Sequence, residues 1–163
     1  MKNDYLKELG HLGMIARLKR LSDNMLYSIR DVYRIKNIDI EPNWHFVFLI
    51  LKDHKTRTMS EMAEAFQLSQ PAVVKIINKM KKRGYIDIVQ DGHDNRKRQL
   101  RLSKKAVDLL PMFETIWSAG QLSIRQMLQD NEQFLAELES LEQQLQHKSF
   151  NERILTNLKC QEK

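Results

Sequence analysis

Between Thr58 and Leu102 the chain carries two helix starts, one helix stop and two short alternating segments, and their order constrains the fold more than any other feature. Thr58-Met59-Ser60-Glu61 is the first start. The Thr58 hydroxyl can accept from the Glu61 backbone N–H while the Glu61 carboxylate reaches back to the N–H of Thr58. Met62, Ala63 and Phe66 give this short helix an apolar face, and Gln67-Leu68 form a tight turn. Ser69-Gln70-Pro71 is the second start, with Ser69 at the N-cap and Pro71 in the first turn. The helix that follows turns Val73, Ile76, Ile77 and Met80 inward and stops at Gly84. Tyr85 to Gln90 and Arg98 to Leu102 then alternate, Ile86 with Ile88 and Leu100 with Leu102, as the strands of a hairpin packed on helices. Two short helices joined by a three- or four-residue turn, then a hairpin, make a helix-turn-helix with a wing.

Charge falls on the same segment. From Lys75 to Lys105 there are eleven Lys/Arg against three acids (Asp87, Asp91, Asp94), a local net of +8, whereas the whole chain is +6. Everything outside that window sums to −2, so the basicity is one patch, and a focused patch of this kind points to a polyanion.

The remaining sequence reads as long helices. No proline interrupts a helical pattern from Tyr5 to Ile35, where Leu18, Leu21, Met25, Ile29 and Val32 share one face. Asp39 to Asn43 breaks it, and Trp44 to Lys52, apolar almost all round, is expected as a helix buried on most sides. After the hairpin, Ser103 can cap a helix carrying Ala106, Val107, Leu110, Phe113 and Trp117, which Pro111 and Gly120 are expected to bend or interrupt. Phe134, Leu138, Leu141 and Leu145 form a further seam at alternating spacings of four and three, and Asn151 to Lys163 reads as a fraying tail. The fold class expected is mainly α with a small β-hairpin wing.

These residues resemble the MarR family of bacterial transcriptional regulators. The resemblance rests on Ser69-Gln70-Pro71-Ala72-Val73 running through Lys82-Arg83-Gly84-Tyr85-Ile86, and on Asp91-Gly92-His93-Asp94-Asn95-Arg96 followed by Gln99-Leu100-Arg101-Leu102-Ser103. The family's wing signature, Asp-x-Arg closed by Leu-Ser/Thr, is met by Asp94, Arg96, Leu102 and Ser103. The resemblance covers residues 5–148 in architecture and 58–105 in motif. It implies a homodimer with intertwined terminal helices, two winged lobes on a pseudo-palindromic operator, and an effector pocket between dimer helices and lobe. The chain would then be one domain over 1–163. Residues 37–104 form the DNA-binding lobe, 1–36 and 105–148 the dimerisation region, and 149–163 a tail.

With Val73, Ile77 and Met80 inward, Gln70, Val74, Lys75 and Asn78 fall outward. Gln and Asn can bond adenine bidentately, Lys can reach guanine or phosphate, and the Val74 methyls, where many relatives carry Thr or Ser, suit a thymine methyl. The DNA-facing set is Ser69, Gln70, Pro71, Ala72, Val74, Lys75, Asn78 and Lys79 on the helix. On the wing it is Asp94, Arg96, Lys97, Arg98 and Arg101. By the resemblance Arg96 enters the minor groove with Asp94 bracing the turn, and Lys97, Arg98 and Arg101 meet phosphates, giving affinity without sequence information. Pocket candidates are His11, Arg17, Trp44, His45, Phe113 and Trp117, facing a small aromatic or other small molecule. Dimerisation candidates are Leu18, Leu21, Phe134, Leu138, Leu141 and Leu145.

Other chemistries find little support. The five His show no metal-ligand spacing, so neither metal nor cofactor is expected. The single Cys160 excludes an internal disulfide and, with no signal peptide or membrane-length apolar run, fits a cytoplasmic protein. No enzyme signature is present. The expected function is a sequence-specific DNA-binding regulator, a homodimeric repressor released by a small-molecule effector. The alternative is a winged-helix module that binds an acidic protein partner and touches DNA incidentally.

Overall fold

The structure, a computed structural model, describes residues 4–90 and 98–161 of the 163. It divides into two compact units, residues 1–113 and 114–163.

The first unit opens on α1 (Tyr5–Glu8), a 3₁₀ turn (Gly10–Gly13) and α2 (Met14–Ile35). The unbroken helix expected from Tyr5 to Ile35 is therefore interrupted, and the cause is local. Gly10 sits at φ +54°, and the chain folds back so closely that a Cβ on Gly13 would lie 2.0 Å from the Leu6 carbonyl oxygen. A bidentate pair between Arg20 and Asp4, at 2.6 and 3.2 Å, holds the folded-back segment on α2.

A 3₁₀ turn (Pro42–Trp44) leads into α3 (His45–His54). This helix is less enclosed than its composition suggests, with Val47, Phe48 and Leu51 buried but Leu49 exposed. Next come α4 (Met59–Ala65) and α5 (Gln70–Lys82), then β1 (Ile86–Gln90) paired antiparallel with β2 (Arg98–Leu102). The register sets Ile86 opposite Leu102, Ile88 opposite Leu100 and Gln90 opposite Arg98. α6 (Lys104–Met127) begins in this unit, with Ser103 Oγ accepting from the Ala106 N–H as its cap.

Three helix ends in this unit are closed by one device. After α2, α4 and α5 the chain takes a left-handed residue, Asn37, Gln67 and Gly84 respectively. In each case the next N–H bonds five residues back, Ile38 to Tyr33, Leu68 to Ala63 and Tyr85 to Met80, which satisfies carbonyls the helix leaves open. The core gathers Trp44, Phe48, Leu51, Met62, Val73, Ile77, Met80, Tyr85, Leu100 and Phe113, all buried. Tyr85 is its hub, edge-on to Trp44, Phe48 and Phe113 with ring centroids 6.1, 5.5 and 6.1 Å away.

The second unit holds the rest of α6, then α7 (Gln133–His147) and α8 (Phe150–Gln161). α6 runs uninterrupted through Pro111 and Gly120, against expectation. The segment expected to fray is instead α8, opened by Ser149 and Glu152, whose carboxylate accepts from the Ser149 N–H at 3.0 Å. Arg153 fixes the α7–α8 corner by donating to the carbonyls of Gln144 and Lys148. Among the described residues no helix is long and apolar enough to cross a membrane.

Candidate nucleic-acid interface

α4 starts as the sequence dictates. Glu61 N–H donates to Thr58 Oγ1 at 3.2 Å, and Thr58 N–H donates to Glu61 Oε2 at 2.7 Å. Helix α5 then takes one face into the core through Val73, Ile77 and Met80. The other face is solvent-exposed at Gln70, Pro71, Val74, Lys75, Asn78 and Lys79, with Ala72 half-buried. Lys75, Asn78, Lys79, Lys81 and Lys82 have no side-chain partner among the described residues, so this face carries cations and one amide with their hydrogen-bonding capacity uncommitted.

The first turn of α5 differs from the sequence expectation in one respect. Ser69 occupies the N-cap with extended backbone, but its hydroxyl makes no capping bond; the Ser69 carbonyl accepts from the N–H groups of Ala72 and Val73. The Gln70 side chain donates through Nε2 to Ser60 Oγ, 2.9 Å away on α4.

The hairpin continues from α5 through Gly84. Arg98 lies exposed at the outer end of the ladder, and Arg101 faces Asp87 across it with an N–O distance of 3.6 Å. Arg101 is therefore only partly free for a phosphate. Asp94, Arg96 and Lys97 lie outside the described residues. At its base the hairpin is clamped twice. Arg57 and Leu100 exchange both backbone hydrogen bonds, at 3.1 and 2.7 Å, and Ser103 bonds Tyr85 and Gly84 through its N–H and hydroxyl. The Arg57 contact had no sequence signal, since one residue in a connection shows no alternation.

A polar cluster under the C-terminal end of α5 was also missed. Arg83, which reads as one more cation of the patch, lies over the Trp44 ring at 5.1 Å, donates to the Asp39 carbonyl and pairs with Glu41 at 3.4 Å. Glu41 in turn lies 3.6 Å from Arg30 on α2, so one carboxylate joins α2 to the end of α5. Lys105 sits 4.0 Å over the Tyr85 ring, donates to the Arg83 carbonyl at 2.9 Å and lies 3.4 Å from Asp39. The Tyr85 hydroxyl donates to Asp39 Oδ1. Partial burial opposes the Asp39 charge, but the Tyr85 hydrogen bond and the Lys105 ammonium outweigh it and hold the carboxyl below its ordinary value. Burial, and then Asp39, push the Tyr85 phenol well above its own. Among the described residues, Arg83 and Lys105 are struts, Arg101 and Lys104 pair with Asp87 and Asp108, and Lys75, Lys79, Lys81, Lys82 and Arg98 are free groups with no side-chain partner.

The pocket candidates do not share one setting. Trp44 and Phe113 are core residues with buried rings. His45 is exposed, its Nδ1–H donating to the Pro42 carbonyl at 2.9 Å. His11 and Arg17 are exposed in the first unit, and Trp117 is half-buried in the second. An open groove of about 330 Å³ on the first unit is lined by Ile50, His54, Arg57, Glu61, Glu64 and Ala65, none of them a pocket candidate. The dimerisation candidates Leu18, Leu21, Phe134, Leu138, Leu141 and Leu145 are all exposed in the single chain. Among the described residues no group of His, Cys, Asp and Glu could hold a metal.

A capped α4, a left-handed turn, a basic α5 and a clamped two-stranded hairpin define the winged helix-turn-helix class. Residues 38–97 match the model of the MarR family. The chain is similar to the HTH-type transcriptional regulator BilQ of Clostridioides difficile (strain CD3), 22% identical over 88 residues, which are 54% of this chain and 60% of that protein. The match thus spans about three fifths of the curated relative's length. Solved structures share the fold. The MepR–DNA complex of S. aureus superposes with TM-score 0.71 at 20% identity, covering 81% of this chain and 97% of that one. A MarR mutant from E. coli complexed with operator DNA gives 0.63 at 16%, covering 88% and 99%. The regulator BldR from Sulfolobus solfataricus gives 0.56 at 20%, covering 89% and 99%.

Proposed function

We propose that this chain is a transcriptional regulator, a cytoplasmic homodimer that represses by binding a pseudo-palindromic operator, with α5 in the major groove. The observation that carries this reading is the outward face of α5, where Val74, Lys75, Asn78 and Lys79 are exposed and, among the described residues, unengaged, on a helix whose other face is locked into the core. Such a helix offers base-reading groups on a rigid support, and the cations beside it supply phosphate affinity. Similarity to MepR and MarR, both described in complex with DNA, supports the same reading. The dimer is supported by the apolar residues a single chain leaves in water, Leu18, Leu21, Ile29 and Val32 on α2 and Phe134, Leu138, Leu141 and Leu145 on α7. Half-sites would then lie about one helical turn apart, roughly 10 bp. Asp94, Arg96, Lys97, Arg98 and Arg101 supply the wing contacts. Release by a small molecule completes the reading, with His11, Arg17, His45 and Trp117 as the residues to substitute in an effector screen.

The test is selection of bound duplexes from a random pool by the purified full chain at near-physiological salt. The reading expects an enriched inverted repeat. A folded, dimeric protein that enriches nothing would refute it and direct the search to an acidic protein partner.

A further inference from the structure

We infer that Ser60 is a positioning residue for base reading: by engaging one N–H of the Gln70 amide it leaves that amide able to read adenine and unable to satisfy guanine. The inference rests on the placement of α5 in the major groove proposed above.

Ser60 stands on a rigid support. It lies between Thr58 and Glu61, whose reciprocal bonds fix the first turn of α4, and the left-handed Gln67 with the Leu68-to-Ala63 bond fixes the step from α4 to α5. Buried Met62 and Ala63 on one helix and Val73 and Ile77 on the other hold the two together. Gln70 is the first residue of α5 and is solvent-exposed, where a free Gln side chain samples many rotamers. Its bond to Ser60 Oγ, 2.9 Å, removes part of that freedom before DNA arrives. Neither side chain has another partner among the described residues, so the pairing is mutual.

The chemistry follows from counting donors. A Gln amide has one carbonyl oxygen and two N–H groups. Adenine presents N7 as acceptor and N6–H as donor in the major groove, and one N–H with the carbonyl oxygen matches both. Guanine presents two acceptors, O6 and N7, and an amide satisfies both only with two N–H groups. With one N–H held by Ser60, the second donor is gone and the carbonyl oxygen faces an acceptor. Ser60 therefore acts against guanine without touching a base.

The experiment uses the full chain and the operator enriched by selection. Affinity is measured for that site and for each single base-pair change in it, with the native chain, Ser60→Ala, Ser60→Thr, Gln70→Ala and the Ser60→Ala/Gln70→Ala pair. Thermal melts check that each variant folds. Gln70→Ala is expected to flatten the preference at one base pair of each half-site. Ser60→Ala should lower the adenine-over-guanine ratio at that same pair by about tenfold, the scale of one bidentate base contact, and leave the other pairs unchanged. Ser60→Thr, which keeps the hydroxyl, should restore the ratio, and Ser60→Ala should have no effect where Gln70 is already Ala. A uniform loss over all pairs, an unchanged ratio, or an effect that persists in the Gln70→Ala background would overturn the role of Ser60. Enrichment with Gln70→Ala silent at every pair would overturn it while leaving DNA reading intact. A pool with no enrichment would remove both.

Discussion

Tyr85→Phe isolates one bond in the cluster that joins the loop after α2 to the end of α5. The substitution keeps the ring, and with it the edge contacts to Trp44, Phe48 and Phe113, and removes only the hydroxyl that donates to Asp39. A hydrogen bond to a charged acceptor contributes about 1.5–3 kcal/mol. Asp39 is 57% exposed and keeps Lys105 at 3.4 Å, so water replaces the lost donor and no charge is stranded. The expected loss therefore lies near the lower end, about 1.5 kcal/mol at pH 7. Tyr85→Ala, which also empties the core position, should cost about 3–5 kcal/mol. The assay is urea denaturation at fixed protein concentration, because self-association would shift the midpoint by mass action. The pH dependence provides a second reading. The folded-state value of Asp39 is depressed, so its contribution is complete above the unfolded carboxylate value, about 3.9, and is lost as pH falls through the lower folded value. Tyr85→Phe weakens that depression, so the gap between variant and native chain should narrow from pH 6 to below pH 3. A variant within about 0.3 kcal/mol of native at pH 7, well below any hydrogen-bond contribution, or a gap that stays constant with pH, would refute the assignment of this bond.

Gly13→Ala should displace α1, because its Cβ would meet the Leu6 carbonyl at 2.0 Å; a loss of about 1–3 kcal/mol is expected, with faster amide exchange confined to residues 5–13. Thr58→Ala removes the acceptor for the Glu61 N–H and should lower stability by about 1 kcal/mol, read by denaturant midpoint, while Thr58→Ser should be near native. Lys79→Gln should weaken binding to specific and nonspecific duplexes alike and reduce the slope of log affinity against log salt by about 1. Arg83→Gln, although a substitution in the same basic segment, should leave that slope unchanged and lower stability, since Arg83 is tied to Asp39, Glu41 and Trp44.

The elements best read from sequence were those whose signals are local. The Thr58–Glu61 box, Gly84 as a helix stop and the alternation of β1 and β2 all involve residues within one turn or one strand of each other, and all are present. What was missed is carried by contacts distant in sequence or by competition between terms. Pro111 removes a helix hydrogen bond, yet Ala106, Leu110 and Phe113, buried on either side of it, hold α6 continuous. The break at Gly10–Gly13 is carried by its two glycines, but the return of the segment onto α2 is held by the later Arg20, which no local pattern announces. α8 reads as loosely patterned because its apolar residues Phe150, Ile154, Leu155 and Leu158 are sparse, but its ends are tied by Ser149–Glu152 and by Arg153. In the candidate interface, the outward set of α5 was legible from helical phase. The division of the cations into struts and free groups was not, because charge alone does not show that Asp39 and Glu41 lie under Arg83 and Lys105. Trp44 and Phe113 are pocket candidates by the family resemblance, and burial, which sequence does not show, places both rings in the core.

The double clamp at the base of the hairpin separates what is fixed in this protein from what can be exchanged. Arg57 and Leu100 on one side, and Ser103 with Tyr85 and Gly84 on the other, make the two strands a stem that the rest of the lobe holds in place. Replacing the sequence between Gln90 and Arg98 by one of another length or charge is then expected to leave α5 undisturbed, because its inner face is committed to the core. Grafting experiments can use this: the stem is a socket, and if α5 reads DNA as proposed, transplanted tips should change the footprint while the preferred sequence stays the same.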